Sequence, residues 1–401
     1  MCVKLSSSND IEKYPLLRFD GYTKPWLIRS LGEMGTFIKG APLSKADISD
    51  DGTPFILYGE LYTTYSEVTH SIKRKTNKTV EQQFYSRIGD VIMPTSGETP
   101  EDIATASCIM LSNVILAGDL LIYRTEQIDG RFISYVIKNK VNRQITSVAQ
   151  GKSVVHVCAD ELSKINITFP TLDEQKKILD LLEMIDKRIT TQQDLIETLK
   201  KYKRGLNIKL LANFSATGRR NLGDVCSIIG GGTPDTQNKE YWDGDVYWFT
   251  PSEVGKNKYV TSSVRNISSL GISKSSAKIL PKDTVLLTTR ATLGEMSILK
   301  TEATTNQGFQ SLIASNEVLP EYVYYLQVLI KPWCEKYASG NTFREISKMS
   351  LSKCPVPVPV ISVQEEIVGL LSGIDKHIVC EEEILKKIQQ AKKSLLQQLF
   401  I

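Results

Sequence analysis

Apolar side chains follow a helical period in two separate stretches of the chain. Over residues 173–210 they recur at steps of three and four, the pattern of an amphipathic helix. The stretch that ends at Leu399 repeats this stripe. At about 1.5 Å per residue, each helix would be on the order of 60 Å long, too long for one small domain to cover. The stripe positions expected to face a helical partner are Ile178, Leu182, Ile185, Ile189, Leu199, Ile367, Leu371, Ile374, Ile378 and Ile388.

The rest of the chain, over residues 14–168 and 219–357, has a different pattern. Short β-branched and aromatic runs are punctuated there by Gly, Pro, Asn and Asp. Such runs are typical of strands joined by turns. Each stretch is therefore predicted to be a mixed domain with a substantial sheet, with some helix over residues 322–329 or its counterpart.

The chain repeats itself once. Residues 162–189 match residues 351–378, and the pair Asp186 and Asp375 defines an offset of 189 residues. This register needs no gap over residues 151–210, and a fainter match links Leu31 to Leu222. Such a duplication predicts four segments: mixed domains at 1–168 and 216–357, and helical repeats at 169–215 and 358–401.

Two stripes of equal length change the interpretation of each helix. A single stripe would be explained by packing on its own domain, whereas two copies favour a coiled-coil-like pair. Pro170 and Pro359 mark where the helices begin. We therefore expect an α+β fold of two tandem α/β domains, each followed by a long helix, with the two helices packed together.

The overall composition and charge narrow the class of protein only slightly. The 401 residues are 41% hydrophobic with a net charge of +4, which permits an anionic partner without requiring one. No apolar run approaches the roughly 18 residues of a membrane span, and the N-terminal residues lack the apolar stretch of a signal peptide. Seven dispersed cysteines favour free thiols. These features predict a cytoplasmic protein.

No catalytic signature survives inspection. The chain lacks a [DNS]-P-P-[YF] amino-methyltransferase motif, and Gly151-Lys152-Ser153 follows Thr146 where a phosphate-binding loop needs glycine. None of the three histidines stands at ligand spacing from cysteines or carboxylates. The sequence therefore predicts neither a catalytic residue nor a metal site.

Loops that mix cations with short polar side chains are the best candidates for DNA contacts, because lysine and arginine bind phosphates and short polar groups reach base edges. The alternative explanation is a solvated surface loop for residues 73–78 and a flexible hairpin for the glycine triplet at 230–232. The candidates are Lys73, Arg74, Lys75, Lys78, Thr95, Ser96, Thr233, Asn238, Lys239, Ser252, Lys256, Lys258, Thr288, Thr289 and Arg290.

The chain has a P-x-L-R-F opening, later L-G-E/D and G-D-V motifs, and a P-x(4)-Q-x(2)-I-x(2)-L-L helical repeat. With these motifs, nearly the whole chain resembles the specificity subunit of type I restriction-modification systems. Asp20 and Tyr22 depart from the usual proline and phenylalanine, and residues 283–285 read Asp-Thr-Val for Gly-Asp-Val. The opening is formed by Pro15, Leu16, Leu17, Arg18 and Phe19, followed by Trp26.

The resemblance implies two target-recognition domains, joined by antiparallel helices with pseudo-twofold symmetry, that each read half of an asymmetric, interrupted double-stranded DNA site. It also implies that two methylation subunits and the restriction/translocase subunits are partners. S-adenosylmethionine, ATP and Mg are then expected on those partners, with no cofactor in this chain. A diverged methyltransferase or nuclease, and a coiled-coil scaffold without a DNA role, remain alternatives at this point.

Overall fold

A computed structural model describes residues 14–149, 155–214, 218–290, 292–340 and 344–400. They divide into two compact units. Unit 1 covers Met1–Gln192 with Ile384–Ile401, and unit 2 covers Gln193–Glu383. Each unit thus contains one mixed domain and a segment of both helical repeats. Gly151-Lys152-Ser153 lies outside the described residues.

Unit 1 is built on a five-stranded sheet in the order β2-β10-β6-β8-β4, in which only β4 and β8 are parallel. A smaller sheet has the order β5-β3-β9, and two-stranded pairs join β1 to β12 and β7 to β11. The strands are β1 (Leu27–Ser30), β2 (Gly35–Lys39), β3 (Thr53–Leu57), β4 (Val68–Thr69), β5 (Lys75–Thr76), β6 (Asp90–Pro94), β7 (Ser96–Gly97), β8 (Ser107–Ile109), β9 (Ile115–Ala117), β10 (Leu120–Thr125), β11 (Val155–His156) and β12 (Asn166–Phe169). The helices of this domain are α1 (Leu31–Met34), α2 (Glu60–Thr63), α3 (Pro100–Ile103), α4 (Gly130–Val136), α5 (Asn142–Val148) and α6 (Ala159–Ser163).

The first long helix is α7 (Leu172–Asn213), and the second is α13 (Ile361–Leu399). The mixed domain of unit 2 lies between them. Its strands are β13 (Arg219–Asn221), β14 (Cys226–Gly230), β15 (Trp242–Phe249), β16 (Tyr259–Val260), β17 (Arg265–Ile267), β18 (Val285–Leu287), β19 (Met296–Leu299), β20 (Ala303–Thr305), β21 (Gln310–Ala314) and β22 (Pro355–Pro357). Its helices are α8 (Leu222–Val225), α9 (Ser269–Ser273), α10 (Pro320–Tyr325), α11 (Gln327–Tyr337) and α12 (Lys348–Ser352).

The two mixed domains share one topology. Unit 2 has a five-stranded sheet in the order β14-β21-β18-β19-β16, a small sheet β17-β15-β20 and the pair β13-β22. As in unit 1, the only parallel pair of its large sheet joins the outermost strand, β16, to β19. The duplication therefore extends through the segments where the sequence match is faint, and the predicted α+β fold is confirmed.

The long helices contact each other in both units, with opposite ends involved. In unit 1, Ile178 and Leu182 near the start of α7 share a core with Leu399 near the end of α13. In unit 2, Leu211 near the end of α7 shares a core with Ile367 near the start of α13. The helices are therefore antiparallel. Of the expected contact positions, Ile178, Leu182, Ile367, Leu371 and Ile378 are buried, and Ile185, Ile189, Leu199, Ile374 and Ile388 are half-buried.

A buried glutamine explains the P-x(4)-Q spacing at the start of each helix. Gln175 donates from Nε2 to the carbonyl of Pro170 at 2.8 Å and accepts the backbone N–H of Asp129, the residue that caps α4, at 2.9 Å. Gln364 repeats this arrangement with Pro359 and with the N–H of Leu319, which precedes α10. Both amides thus join a long helix to a helix of its mixed domain.

We expect Gln175→Ala to destabilise unit 1 by about 2–4 kcal/mol, because it removes the partner of the half-buried N–H of Asp129 and of the buried carbonyl of Pro170. Gln193→Ala is the matched control, since Gln193 is exposed on the same helix and should change stability by less than about 0.5 kcal/mol. Urea unfolding followed by hydrogen exchange in α4 measures the difference. Equal stability of the two variants would contradict the role of the glutamine.

The P-x-L-R-F opening is fixed by a buried acid of α7. Arg18 donates to both carboxylate oxygens of Glu174 at 2.7 and 2.8 Å, and Glu174 is 1% exposed. The indole N–H of Trp26 points to the same carboxylate at 3.4 Å. The arginine and the tryptophan of the motif therefore attach the start of the mixed domain to the helix.

A tyrosine, an aspartate and a lysine form the same cluster in both units. In unit 1, Tyr135 donates to Asp186 at 2.5 Å, and the ammonium of Lys392 lies 2.5 Å from the same carboxylate. In unit 2, Tyr325 donates to Asp375 at 2.6 Å, and Lys203 pairs with that carboxylate. Each lysine comes from the helix that does not carry the aspartate. The clusters therefore join α7 and α13 at equivalent positions of the repeat.

Unit 1 adds a second acid to its cluster. Glu67, 8% exposed, lies 3.2 Å from Lys138 and 3.7 Å from Lys392. Burial alone would raise the pKa of Glu67, but the two ammonium groups outweigh burial and hold that pKa below its usual range. Burial raises the pKa of Tyr135, so its hydroxyl stays protonated and donates to Asp186.

Six cysteines fall among the described residues and all are free thiols, four of them buried and two, Cys158 and Cys380, exposed, whereas Cys2 lies outside the described residues. Within the same part of the chain, no group of three or more histidine, cysteine, aspartate or glutamate side chains is placed to hold a metal ion. None of the described helices is both long enough and apolar enough to cross a lipid bilayer.

Candidate nucleic-acid interface

The basic segment of unit 1 lies on and beside the edge strand β5. Lys73 and Lys75 are exposed, and neither has an ion pair among the described residues. Arg74 is half-buried and pairs with Glu60 at 3.0 Å, while Lys78 lies 3.9 Å from Asp47. Lys73 and Lys75 therefore remain available to an anionic ligand, and Arg74 serves an internal pair.

The second candidate pair of unit 1 lies where β6 runs into β7. Ser96 is 5% exposed, and its hydroxyl donates to Asp119 at 3.2 Å and lies 3.1 Å from Nδ1 of His156. Thr95 is half-buried, and its backbone bonds Asp119 and Val157. The hydroxyl of Ser96 is therefore buried and satisfied within the protein.

In unit 2 the glycine loop at 230–238 is held against two tryptophans. Trp248 donates from its indole N–H to the carbonyl of Gly232 at 2.9 Å, and Trp242 donates to the carbonyl of Asp235 at 3.1 Å. A side chain at position 232 would come within 2.4 Å of the backbone nitrogen of Ala277. Glycine is therefore required there by close approach, and the loop is fixed in place instead of being a flexible hairpin.

The sequence analysis did not identify Arg265, a cation that lies against these two tryptophans. The guanidinium of Arg265, on β17, lies 3.6 Å from the ring centroid of Trp242 and 5.9 Å from that of Trp248. Arg265 is exposed, and no carboxylate pairs with it in the part of the chain that the structure describes. The signal in the sequence was the pair of tryptophans on one strand followed by an isolated arginine.

The loop, the arginine and their neighbours form one surface, here called the tryptophan surface. It comprises residues 231–239, Arg265, residues 274–278 and Gln307. Thr233 donates to Gln307 at 2.5 Å, and Asn238 caps the short helical turn that begins at Lys239. Lys239, Lys274 and Lys278 are exposed without ion pairs among the described residues, Asp235 is also exposed on this surface, and Glu240 is exposed beside it.

The remaining candidates of unit 2 have different surroundings. Ser252 and Lys256 are exposed, and the hydroxyl of Ser252 lies 3.1 Å from that of Thr250. Lys258 is half-buried, donates to Tyr325 at 2.8 Å and to Ser372 at 3.0 Å, and burial lowers its pKa. Lys258 therefore serves the contact with α13, and we leave it out of the proposal.

The candidate segment 288–290 is largely internal. Thr288 and Thr289 are fully buried, with the first hydroxyl bonded to the carbonyl of Thr292 and the second 3.4 Å from Glu345. Arg290 pairs with Glu345 at 2.9 Å. These groups are satisfied within the protein. The two threonines are therefore not among the proposed DNA contacts, and Arg290 is a secondary one.

The candidate surfaces of the two units lie on equivalent small sheets. β5 pairs antiparallel with β3, and β17 pairs antiparallel with β15, while β9 and β20 run parallel to those same central strands. β5 and β17 therefore occupy the same edge of equivalent sheets. Basic side chains follow that edge in both units, with Lys73 and Lys75 in one and Arg265 in the other.

The sequence matches the profile of the type I restriction modification DNA specificity domain twice, over residues 23–201 and 218–390. It is 36% identical to the Type I restriction enzyme MjaIX specificity subunit of Methanocaldococcus jannaschii over 176 residues, 42% of this chain and 41% of that one. The EcoR124I/EcoR124II specificity subunit of Escherichia coli is 25% identical over 53% of this chain and 56% of its own length. The chain thus spans about half the length of these two relatives.

Solved structures agree on the fold. The S subunit of a type I restriction-modification system from M. genitalium has a TM-score of 0.56 at 17% identity, with 96% of this chain and 99% of that one covered. A second solved chain comes from a structure that addresses complex assembly and conformational transition of the type I R-M system. Its TM-score is 0.58 at 18% identity, with 94% of this chain and 97% of that chain covered. Because the profile covers most of the chain in two copies, the chain belongs to the type I restriction-modification DNA specificity family, whose members are the non-catalytic subunits that recognise the DNA target.

Proposed function

We propose that this chain selects an asymmetric, bipartite DNA site and directs two methylation subunits and the restriction/translocase subunits to it in the cytoplasm. The domain at 1–168 reads one half-site and the domain at 216–357 reads the other. The helical repeats at 169–215 and 358–401 form the spacer. S-adenosylmethionine, ATP and Mg then belong to the partner subunits.

One observation carries the proposal: two domains with equivalent large and small sheets present different side chains on the same edge of the small sheet. Equal folds place equal surfaces towards equivalent parts of a duplex, whereas different side chains read different base pairs. A chain of this kind selects two unlike half-sites. A scaffold without a DNA role gives no reason for the exposed cations at both edges.

The proposed contacts in unit 1 are Lys73 and Lys75, with Lys78 and Arg74 beside them and Thr95 at the next strand junction. In unit 2 they are Thr233, Asn238 and Lys239 on the tryptophan surface, with Ser252, Lys256 and Arg290 outside it. Lysines contribute mainly phosphate contacts, which give affinity and a salt dependence without sequence preference. The short polar groups are better suited to base edges.

Methylation mapping by long-read sequencing tests the function. Cells that carry this chain together with its methylation subunits should contain a bipartite, asymmetric methylated motif, and cells lacking only this chain should not. A demonstrably active methylation subunit that produces the same motif without this chain would refute the proposal.

A further inference from the structure

We infer that Arg265 recognises a guanine in the half-site read by the second domain, an inference that rests on the proposed function. Among the arginines singled out in the two domains, Arg74 and Arg290 are paired with Glu60 and Glu345. Arg265 is exposed and has no carboxylate partner among the described residues. Its hydrogen-bond donors therefore remain available to a ligand.

The tryptophans beneath Arg265 form a fixed platform. Trp242 and Trp248 are 7% and 5% exposed and meet edge to face, with ring centroids 5.0 Å apart at 86°. Both indole N–H groups are bonded to loop carbonyls, so neither ring turns easily. A guanidinium stacked on such a ring is restrained before the ligand arrives and loses less side-chain freedom on binding.

A guanidinium fork fits both a phosphate and a guanine edge, and the short polar side chains beside Arg265 favour the guanine. A planar guanidinium with a fixed plane donates two parallel hydrogen bonds, which match the O6 and N7 acceptors of guanine in the major groove. The other cations of the tryptophan surface, Lys239, Lys274 and Lys278, are flexible point charges without a stacking partner in the described part of the chain. Such lysines suit phosphates, which accept a charge from many directions.

The platform also links Arg265 to the glycine loop. Trp248 bonds Gly232 and Trp242 bonds Asp235, so the same two rings position the arginine and the loop. The short polar side chains of that loop, Thr233 and Asn238, are thereby placed on one surface with the guanidinium. A base pair read by Arg265 is expected to neighbour base pairs read by the loop.

Selection from a randomised DNA duplex library with the full-length chain tests the inference. The unaltered chain should select a bipartite site with a G·C pair in one half. Competition with duplexes that carry each other base pair at that position should show discrimination on the order of ten- to a hundredfold. Arg265→Ala should reduce that discrimination to within a fewfold at this one position and leave every other position unchanged.

Two variants control the experiment. Arg265→Lys keeps the charge but loses the planar fork, so it should retain affinity better than discrimination. Lys278→Ala removes a neighbouring charge and should leave the preferred letters unchanged while reducing the salt dependence of binding. Continued recognition of the first domain's half-site by each variant shows that the protein is folded.

The possible results distinguish a failure of the guanine contact from a failure of the proposed function. Loss of affinity by Arg265→Ala equally at all positions would mean a phosphate contact, and unchanged preferences would mean no contact; either result overturns the inference. If the unaltered chain selects no sequence, the proposed function itself fails. A bipartite selection by the unaltered chain with an unchanged Arg265→Ala profile overturns the guanine contact alone.

Discussion

Removing one heptad from both long helices is expected to leave the two half-sites unchanged and to bring them closer by about three base pairs. Seven helical residues span about 10.5 Å, and base pairs stack at about 3.4 Å. The binding of DNA that carries the original gap should then fall by orders of magnitude, because only one half-site at a time can be engaged.

The segments to remove are 191–197 and 380–386, which lie between the two tyrosine-aspartate-lysine clusters. Both clusters stay intact, since their helical residues are Asp186, Lys203, Asp375 and Lys392. A heptad keeps the apolar seam in phase, because the seam repeats every 3.5 residues. The exposed pair of Lys200 and Glu382 is lost, at little cost.

Library selection or methylation mapping measures the gap and the letters together. Removing residues 191–197 alone is the control, because it mismatches the helices and should abolish bipartite selection. Changed half-site letters in the double deletion would contradict the separation of reading from spacing, and an unchanged gap would show that the helices do not set it.

Replacing Lys392 by methionine is expected to destabilise unit 1 strongly. The lysine is 14% exposed and faces two carboxylates, Asp186 at 2.5 Å and Glu67 at 3.7 Å. Removing one partner of a buried ion pair leaves charge without compensation, and we expect a loss of about 2–4 kcal/mol after allowing for the partial exposure of Asp186.

Hydrogen exchange locates this loss. In Lys392→Met, protection should fall in α4, which contains Tyr135, whereas Lys203→Met should lower protection in α10, which contains Tyr325. Lys393→Met is the control, because Lys393 is exposed and without an ion pair among the described residues. Equal protection of α4 in Lys392→Met and Lys393→Met would show that the cluster of unit 1 does not stabilise that unit.

The same lysine should also affect the stability of the protein in acid. Since the folded pKa of Glu67 lies below its unfolded value, Glu67 contributes stability above about pH 4 that is lost as the pH falls through its folded pKa. Without Lys392, the lowering of the pKa of Glu67 is smaller, so unit 1 of the variant should lose less additional stability as the pH falls below about 4.

Periodic segments could be predicted from sequence and contacts across the fold could not. The stripe placed a helix over 173–210, and the structure has Leu172–Asn213, because a repeated apolar face is a local property. Tyr135 reaches Asp186 across 51 residues, and no local pattern marks that tyrosine. The contact could be found only once the sheet had placed α4 beside α7.

The candidate site shows the same division. Thr288 and Thr289 have the composition of a polar loop, yet their burial is decided by internal partners that come from distant residues. Arg265 stood alone in a segment of small polar residues and was passed over, although the ring beneath it makes its environment distinctive. Charge and polarity are visible in a sequence, whereas the availability of a side chain depends on tertiary packing.

The crossed lysines restrict how the two copies of the repeat can diverge in evolution. A substitution at Lys203 is inherited with the first copy, but the cluster that it disrupts contains the tyrosine and aspartate of the second copy. The converse holds for Lys392. A substitution of the lysine in one copy therefore weakens the cluster of the other copy. A half exchanged from another member of the family remains compatible only if it carries the same lysine.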